Sequence, residues 1–154
     1  MSSEAAALPQ TGLDEIRTMI EQGAKAPMME LLGIDLAQAE EGRVVFTATP
    51  SRRIYNPLGI AHGGFAATML DSACGLAAKS AMQDPGSCVT LELKIAYHAA
   101  LDGDAGEVRA IGTVVSMGRR VAHTQARLVD ANDRLYASAT STLLLSARQN
   151  RDQG

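Results

Sequence analysis

Hydrophobic positions first recur with a helical period at Leu13, Ile16, Met19 and Ile20, and Thr11 with Glu15 reads as a capped start to that helix. Gly23 stops it. A second short helix is predicted over residues 27–33, with Pro27 in its first turn and Gly33 at its end. Alternation then predicts strands over 34–39 and 43–49, joined by a hairpin at Glu40-Glu41-Gly42. Residues 50–61 read as a loop. The segment 65–82 is apolar almost all round. Its polar exceptions, Thr68, Asp71, Ser72, Lys79 and Ser80, form one narrow stripe together with Gly75. A helix of that kind must be surrounded by other structure, so it is expected at the centre of the fold.

After a turn signal at Asp84-Pro85-Gly86, a period of two returns. Val89, Leu91, Leu93, Ile95 and Tyr97 alternate with Thr90, Glu92, Lys94, Ala96 and His98, and the first set is expected to pack on the helix. Three more strands are predicted over 107–117, 121–130 and 135–146. The order αα-ββ-α-ββββ implies an α+β architecture, in which one antiparallel six-stranded sheet curls around a central helix.

Length and composition narrow the picture. A chain of 154 residues with 46% apolar content is one folded domain. That domain is expected over 11–147, with flexible ends at 1–10 and 148–154. The net charge is −3, there are five aromatic residues and no Trp, and no long basic run occurs. These features argue against a nucleic-acid partner. Two cysteines without a CxxC exclude zinc ribbons and disulfide scaffolds. The first residues lack a leader pattern and no long uninterrupted apolar run occurs, so a cytoplasmic protein without membrane association is expected.

The strongest chemical signal runs from Asn56 through His62-Gly63-Gly64 to Asp71. Two glycines stand where a loop becomes a helix. The first N–H groups of a helix lack intrahelical partners and carry partial positive charge, so a carbonyl oxygen placed there is polarised. Asp71 is the only carboxylate on the apolar helix, nine residues beyond His62. Such a group needs water, a partner or a substrate.

This run, with the strand from Cys88 to Tyr97 and the Gly-Asp turn after it, resembles the hotdog-fold acyl-CoA thioesterases, specifically the phenylacetate-degradation (PaaI-like) branch. The resemblance covers residues 28–147. It implies a hotdog fold and hydrolysis of an acyl-CoA thioester without metal or cofactor. It also implies homodimers, often paired into tetramers, with active sites at the dimer interface. Position by position, it implies that the Gly63 N–H binds the thioester oxygen, with Gly64 beside it as a substrate contact. His62 would order the turn and approach the thioester, and Asn56 would position the attacking water or the thioester. Asp71 would be the catalytic carboxylate, supplied by the partner subunit as base or nucleophile. Many relatives carry Glu at that position. Thr90 would help hold the water.

A thioester is activated and its thiolate leaves readily, so one carboxylate and one helix-end oxyanion site suffice. The CoA phosphates need a basic patch. Arg119 and Arg120 after Gly118 are the first choice, and Arg52 and Arg53 the second. His98 and His123 lack metal-ligand spacing. Cys74 reads as a small core residue, and Met28 and Met29 as core or acyl-pocket residues. Two other functions fit the pattern less well. A hotdog hydratase would carry an Asp-x4-His pair that the helix lacks. A non-catalytic acyl-CoA-binding or regulatory domain would keep the glycine turn and the arginines without depending on Asp71.

Overall fold

The computed structural model describes residues 10–149. Most of the two predicted flexible ends, 1–9 and 150–154, lies outside the described residues. The elements are α1 (Gly12–Gln22), α2 (Pro27–Leu32), β1 (Ile34–Glu40), β2 (Arg43–Ala48), α3 (Gly63–Ser80), β3 (Pro85–Tyr97), β4 (Val108–Met117), β5 (Val121–Val129) and β6 (Leu135–Ala147). The loop before α3 contains a short 3-10 turn, Arg52–Ile54.

Thr11 caps α1, but its reciprocal partner is Asp14 and not Glu15. The Asp14 N–H donates to the Thr11 hydroxyl and the Thr11 N–H to the Asp14 carboxylate, each at 3.1 Å. Three residues past the cap is where a side chain reaches back to it. Glu15 instead accepts from Lys79 and Arg148, each at 2.6 Å, which ties α1 to the end of α3 and to the residue after β6. The cap residue Gly23 takes φ 61°, a left-handed conformation that ends the helix.

The six strands form one antiparallel sheet in the order β1-β2-β4-β5-β6-β3, so β1 and β3 are its edges. The sheet wraps α3, which contacts every strand. The close wrap follows from small side chains. Ala73, Ala77 and Ala78 of α3 are fully buried, facing a sheet whose buried positions include Ala110, Ala122, Ala126, Ala137 and Ala139. Backbone approaches backbone at Gly112, where a Cβ would lie 2.2 Å from the Ala73 carbonyl oxygen. Met69 and Leu70, both fully buried, supply larger apolar area, each contributing about 1.5–3 kcal/mol. Among the described residues, no helix is long and apolar enough to cross a membrane.

Strand β3 departs from the expected pattern in two ways. It begins at Pro85, inside the predicted turn; Pro85 pairs with Ala147 at the first strand position, where proline is tolerated. A bulge at Leu91 then interrupts the register with β6, whose partners pass from Thr90↔Leu143 to Glu92↔Thr142. The extra residue reverses the phase of the strand. Val89 and Leu91, expected on the helix, are 53% and 58% exposed. Cys88 and Thr90 turn towards α3 before the bulge, and Leu93, Ile95 and Tyr97 do so after it.

Candidate active site

The loop before α3 is built around Asn56. Its Oδ1 accepts from the Leu58 N–H at 2.9 Å and the Ile60 N–H at 3.4 Å, while its own N–H donates to the Ile60 carbonyl at 2.7 Å. Two converging donors fix the oxygen end of the amide, so the Nδ2 end is the free donor pair. Nδ2 has no acceptor among the described residues. The loop is further pinned where the Ala61 N–H meets the Leu101 carbonyl at 2.7 Å and the His62 N–H meets the Ile54 carbonyl at 2.8 Å.

His62 is the N-cap of α3. Its Nδ1 accepts from the Gly64 N–H at 2.9 Å, so the neutral ring carries its proton on Nε2. The Phe65 N–H donates to the His62 carbonyl at 2.9 Å. Two of the three first-turn donors are therefore used within the turn. The Gly63 N–H has no acceptor among the described residues, which leaves it as the donor open to a ligand oxygen. Gly64, predicted beside it as a substrate contact, has its N–H committed to His62. From β3, the Tyr97 hydroxyl donates to the Gly63 carbonyl at 2.7 Å. Asn56, His62, Gly63, Tyr97, His98 and Tyr136 share a cavity of about 570 Å³ with Leu101 and Leu128.

Asp71 lies elsewhere. Its Oδ1 accepts from the Thr90 hydroxyl at 2.8 Å. The pair opens into a second cavity, of about 410 Å³, walled by Met19, Met29, Ile34, Leu36, Phe46, Gly75 and Leu76. The Ser72 hydroxyl donates to the Met29 sulfur there at 3.7 Å, so of the two candidate methionines Met29 faces this cavity; Met28 lines a groove near Gly64. Lys25 and Lys79 also line the cavity, and both are paired, with Asp35 and Glu15. Two cysteines stand close by. Burial pushes the Cys74 thiol up to about 11, and the Asp71 carboxylate adds to the rise. Burial also raises Cys88. At neutral pH both stay protonated, and a thiol is a poor nucleophile beside its thiolate.

The eight residues from Gly63 to Asp71 place the two groups about 12 Å apart along α3. Within one chain the helix-start donor and the carboxylate thus occupy different cavities. Arg119 and Arg120, in the turn after Gly118, border a third groove with Leu144 to Ala147; it shares no lining residue with either cavity, though Leu145 pairs with Cys88 of the Asp71 cavity. Arg53 lines the groove beside His62 and Gly64. Among the described residues no group of three or more His, Cys, Asp or Glu could hold a metal. Sequence reasoning missed Tyr97 as part of this site. Its one visible signal was an aromatic residue with a hydroxyl at the end of an apolar strand.

Comparison with known proteins identifies the family and the fold. The family model of the thioesterase superfamily matches residues 58–137. The chain is 21% identical to the 1,4-dihydroxy-2-naphthoyl-CoA hydrolase of Listeria monocytogenes over 122 residues, which cover 79% of this chain and 98% of that protein. A point mutant of the phenylacetic acid degradation protein PaaI from Thermus thermophilus superposes with a TM-score of 0.70 at 29% identity, covering 80% of this chain and all of that one. A Streptococcus mutans protein bound to acetyl-CoA superposes at 0.68 with 25% identity, covering 76% and 91%. The wrapped central helix, the six-stranded antiparallel sheet and the matched span lead to one conclusion: the chain belongs to the thioesterase superfamily and is a hotdog-fold thioester hydrolase.

Proposed function

We propose that the protein hydrolyses acyl-CoA thioesters to the free acid and CoA, at sites shared between two copies of the chain. The separation of Gly63 from Asp71 carries this reading. A carbonyl oxygen bound at one Gly63 N–H is out of reach of the Asp71 about 12 Å down the same helix. A second copy brings its own Asp71 to that carbonyl. The edge strand β3, with Val89 and Leu91 exposed, is the surface through which the copies meet. An acyl-CoA substrate is supported by the naphthoyl-CoA hydrolase and the acetyl-CoA-bound relative.

In this mechanism the Gly63 N–H and the helix dipole stabilise the oxyanion as it develops. The Asn56 Nδ2 orients the thioester or the attacking water, and His62 holds the turn. Asp71 is the general base. Thr90 restrains Oδ1, which leaves Oδ2 to take a proton from water. The water oxygen bonds to the acyl carbon, the C–S bond breaks, and the proton passes to the departing thiolate. Atoms and charge balance with the thioester and one water.

The test is subunit complementation. Asp71→Ala and Asn56→Ala proteins are each expected to be inactive. Refolded together, they should regain up to about a quarter of wild-type thiol release, since half the dimers are mixed and each mixed dimer holds one complete site. Verified mixed dimers that stay at the parental level would place both residues in one subunit's site. Acyl-CoA binding by wild-type protein without thiol release would favour a binding module.

A further inference from the structure

Gly75 lies in the interior of α3, one turn beyond Asp71, and lines the same cavity. Glycine in a helix interior costs about 0.5–1 kcal/mol relative to alanine. Nothing among the described residues requires it. Gly75 is not among the residues with positive φ. A Cβ built there would meet one atom, Leu143 Cδ2, at 3.9 Å, an ordinary contact. Gly112 is the contrast, because its Cβ would collide with the Ala73 backbone. At Gly75 the missing side chain leaves open space next to the reactive carboxylate. The walls facing that space include Met29, Leu36, Phe46 and Leu76, and its two lysines are already neutralised.

Resting on the acyl-CoA thioesterase reading, we infer that Gly75 is the position that sets acyl selectivity: its absent side chain admits an uncharged acyl group with apolar bulk, branched or cyclic, close to the carbonyl. A thioester carbon beside Asp71 directs the body of its acyl group along α3, and the next turn of that helix presents Gly75. A β-carbon at this position removes volume where such a group begins to widen. An acetyl group ends before it.

The experiment compares wild type with Gly75→Ala and Gly75→Val on acetyl-CoA and cyclohexanecarbonyl-CoA, with thermal unfolding and sedimentation run alongside. Wild type should have the higher kcat/KM for the cyclic ester. Gly75→Ala should be at least as stable as wild type and should lower the cyclic-to-acetyl ratio of kcat/KM about tenfold or more, the usual effect of one methyl group in an apolar pocket. Gly75→Val should lower that ratio further. An unchanged ratio overturns the inference. So does a dimer that dissociates on Gly75→Ala, which would assign the glycine to subunit packing. If wild type hydrolyses neither ester, the activity reading fails separately. Calorimetric affinities for the same two esters then decide the point at Gly75, and an equal loss of affinity for both on Gly75→Ala overturns it.

Discussion

The Tyr97 hydroxyl donates to the Gly63 carbonyl at 2.7 Å, linking the end of the edge strand to the first residue of the central helix. The same peptide supplies the Gly64 N–H to His62, so one peptide plane is held from both sides. Tyr97→Phe removes one hydrogen bond and leaves the ring. One such bond is worth about 1 kcal/mol. The variant should fold normally and lose about five- to tenfold in kcat with little change in KM, because misaimed oxyanion donors matter most in the transition state. Steady-state kinetics and a melting curve check this; wild-type kcat would show that the turn holds itself.

Asp71→Asn should lose about 10²–10⁴-fold in turnover, the usual contribution of a general base, while folding and assembly persist. Thr90→Val should lose less. If the hydroxyl acts by orienting the carboxylate, Thr90→Val should add almost nothing to the Asp71→Asn protein. Additive losses in the double variant would give Thr90 a role independent of Asp71.

Acid stability should depend on Asp130. Its Oδ1 accepts from the Asn132 N–H at 2.9 Å and the Arg134 N–H at 3.0 Å, and its Oδ2 from the Tyr136 hydroxyl at 3.1 Å. The Arg134 N–H bond leads in holding the carboxyl below its ordinary value. A lowered folded-state value means stabilisation is complete above the unfolded-state value, about 3.9, and is lost as the pH falls through the folded-state value. Urea midpoints of wild type and Asp130→Ala should therefore differ by a constant amount near neutrality and converge below about pH 4. A gap that stays constant into acid would remove the charge from the explanation.

Arg119 and Arg120 line a groove that shares no lining residue with either cavity, and the pantetheine arm of CoA sets its phosphates at a distance from the thioester. Replacing Arg119 and Arg120 with Ala should raise KM for a CoA ester and leave kcat nearly intact, since phosphate binding is much the same in ground and transition states. A pantetheine thioester, which lacks the nucleotide, should show a smaller defect. Equal KM ratios for the two esters would exclude these arginines from nucleotide recognition.

The strand and helix order was readable from periodicity, because apolar alternation and one nearly all-apolar helix leave few ways to bury both. The positions of the glycine turn and of Asp71 were readable, at the start of α3 and within it, because those residue types are out of place on a helix built for a core. The inner face of β3 was not. Thr90 and Tyr97 are seven residues apart and would face opposite ways in a regular strand, yet both meet α3. Only the bulge at Leu91 permits this, and a bulge is set by the pairing with β6, which no local pattern encodes. The separation of Gly63 and Asp71 into two cavities was likewise a matter of where the sheet lies around the helix.

The place of β3 in the sheet has a consequence for synthesis on the ribosome. β3 pairs only with β6, yet β4 and β5 are translated between them. The emerging chain can pair β1 with β2 and β2 with β4, then β4 with β5, while β3 waits with both edges open. Thr90 and Tyr97 cannot be held against α3 until β6 leaves the exit tunnel. Strand β3 is then the last part of the sheet to be seated, and a nascent chain stalled before β6 would carry the helix-start turn around His62 and most of the sheet, but not the β6 partner that fixes Thr90 and Tyr97 against α3.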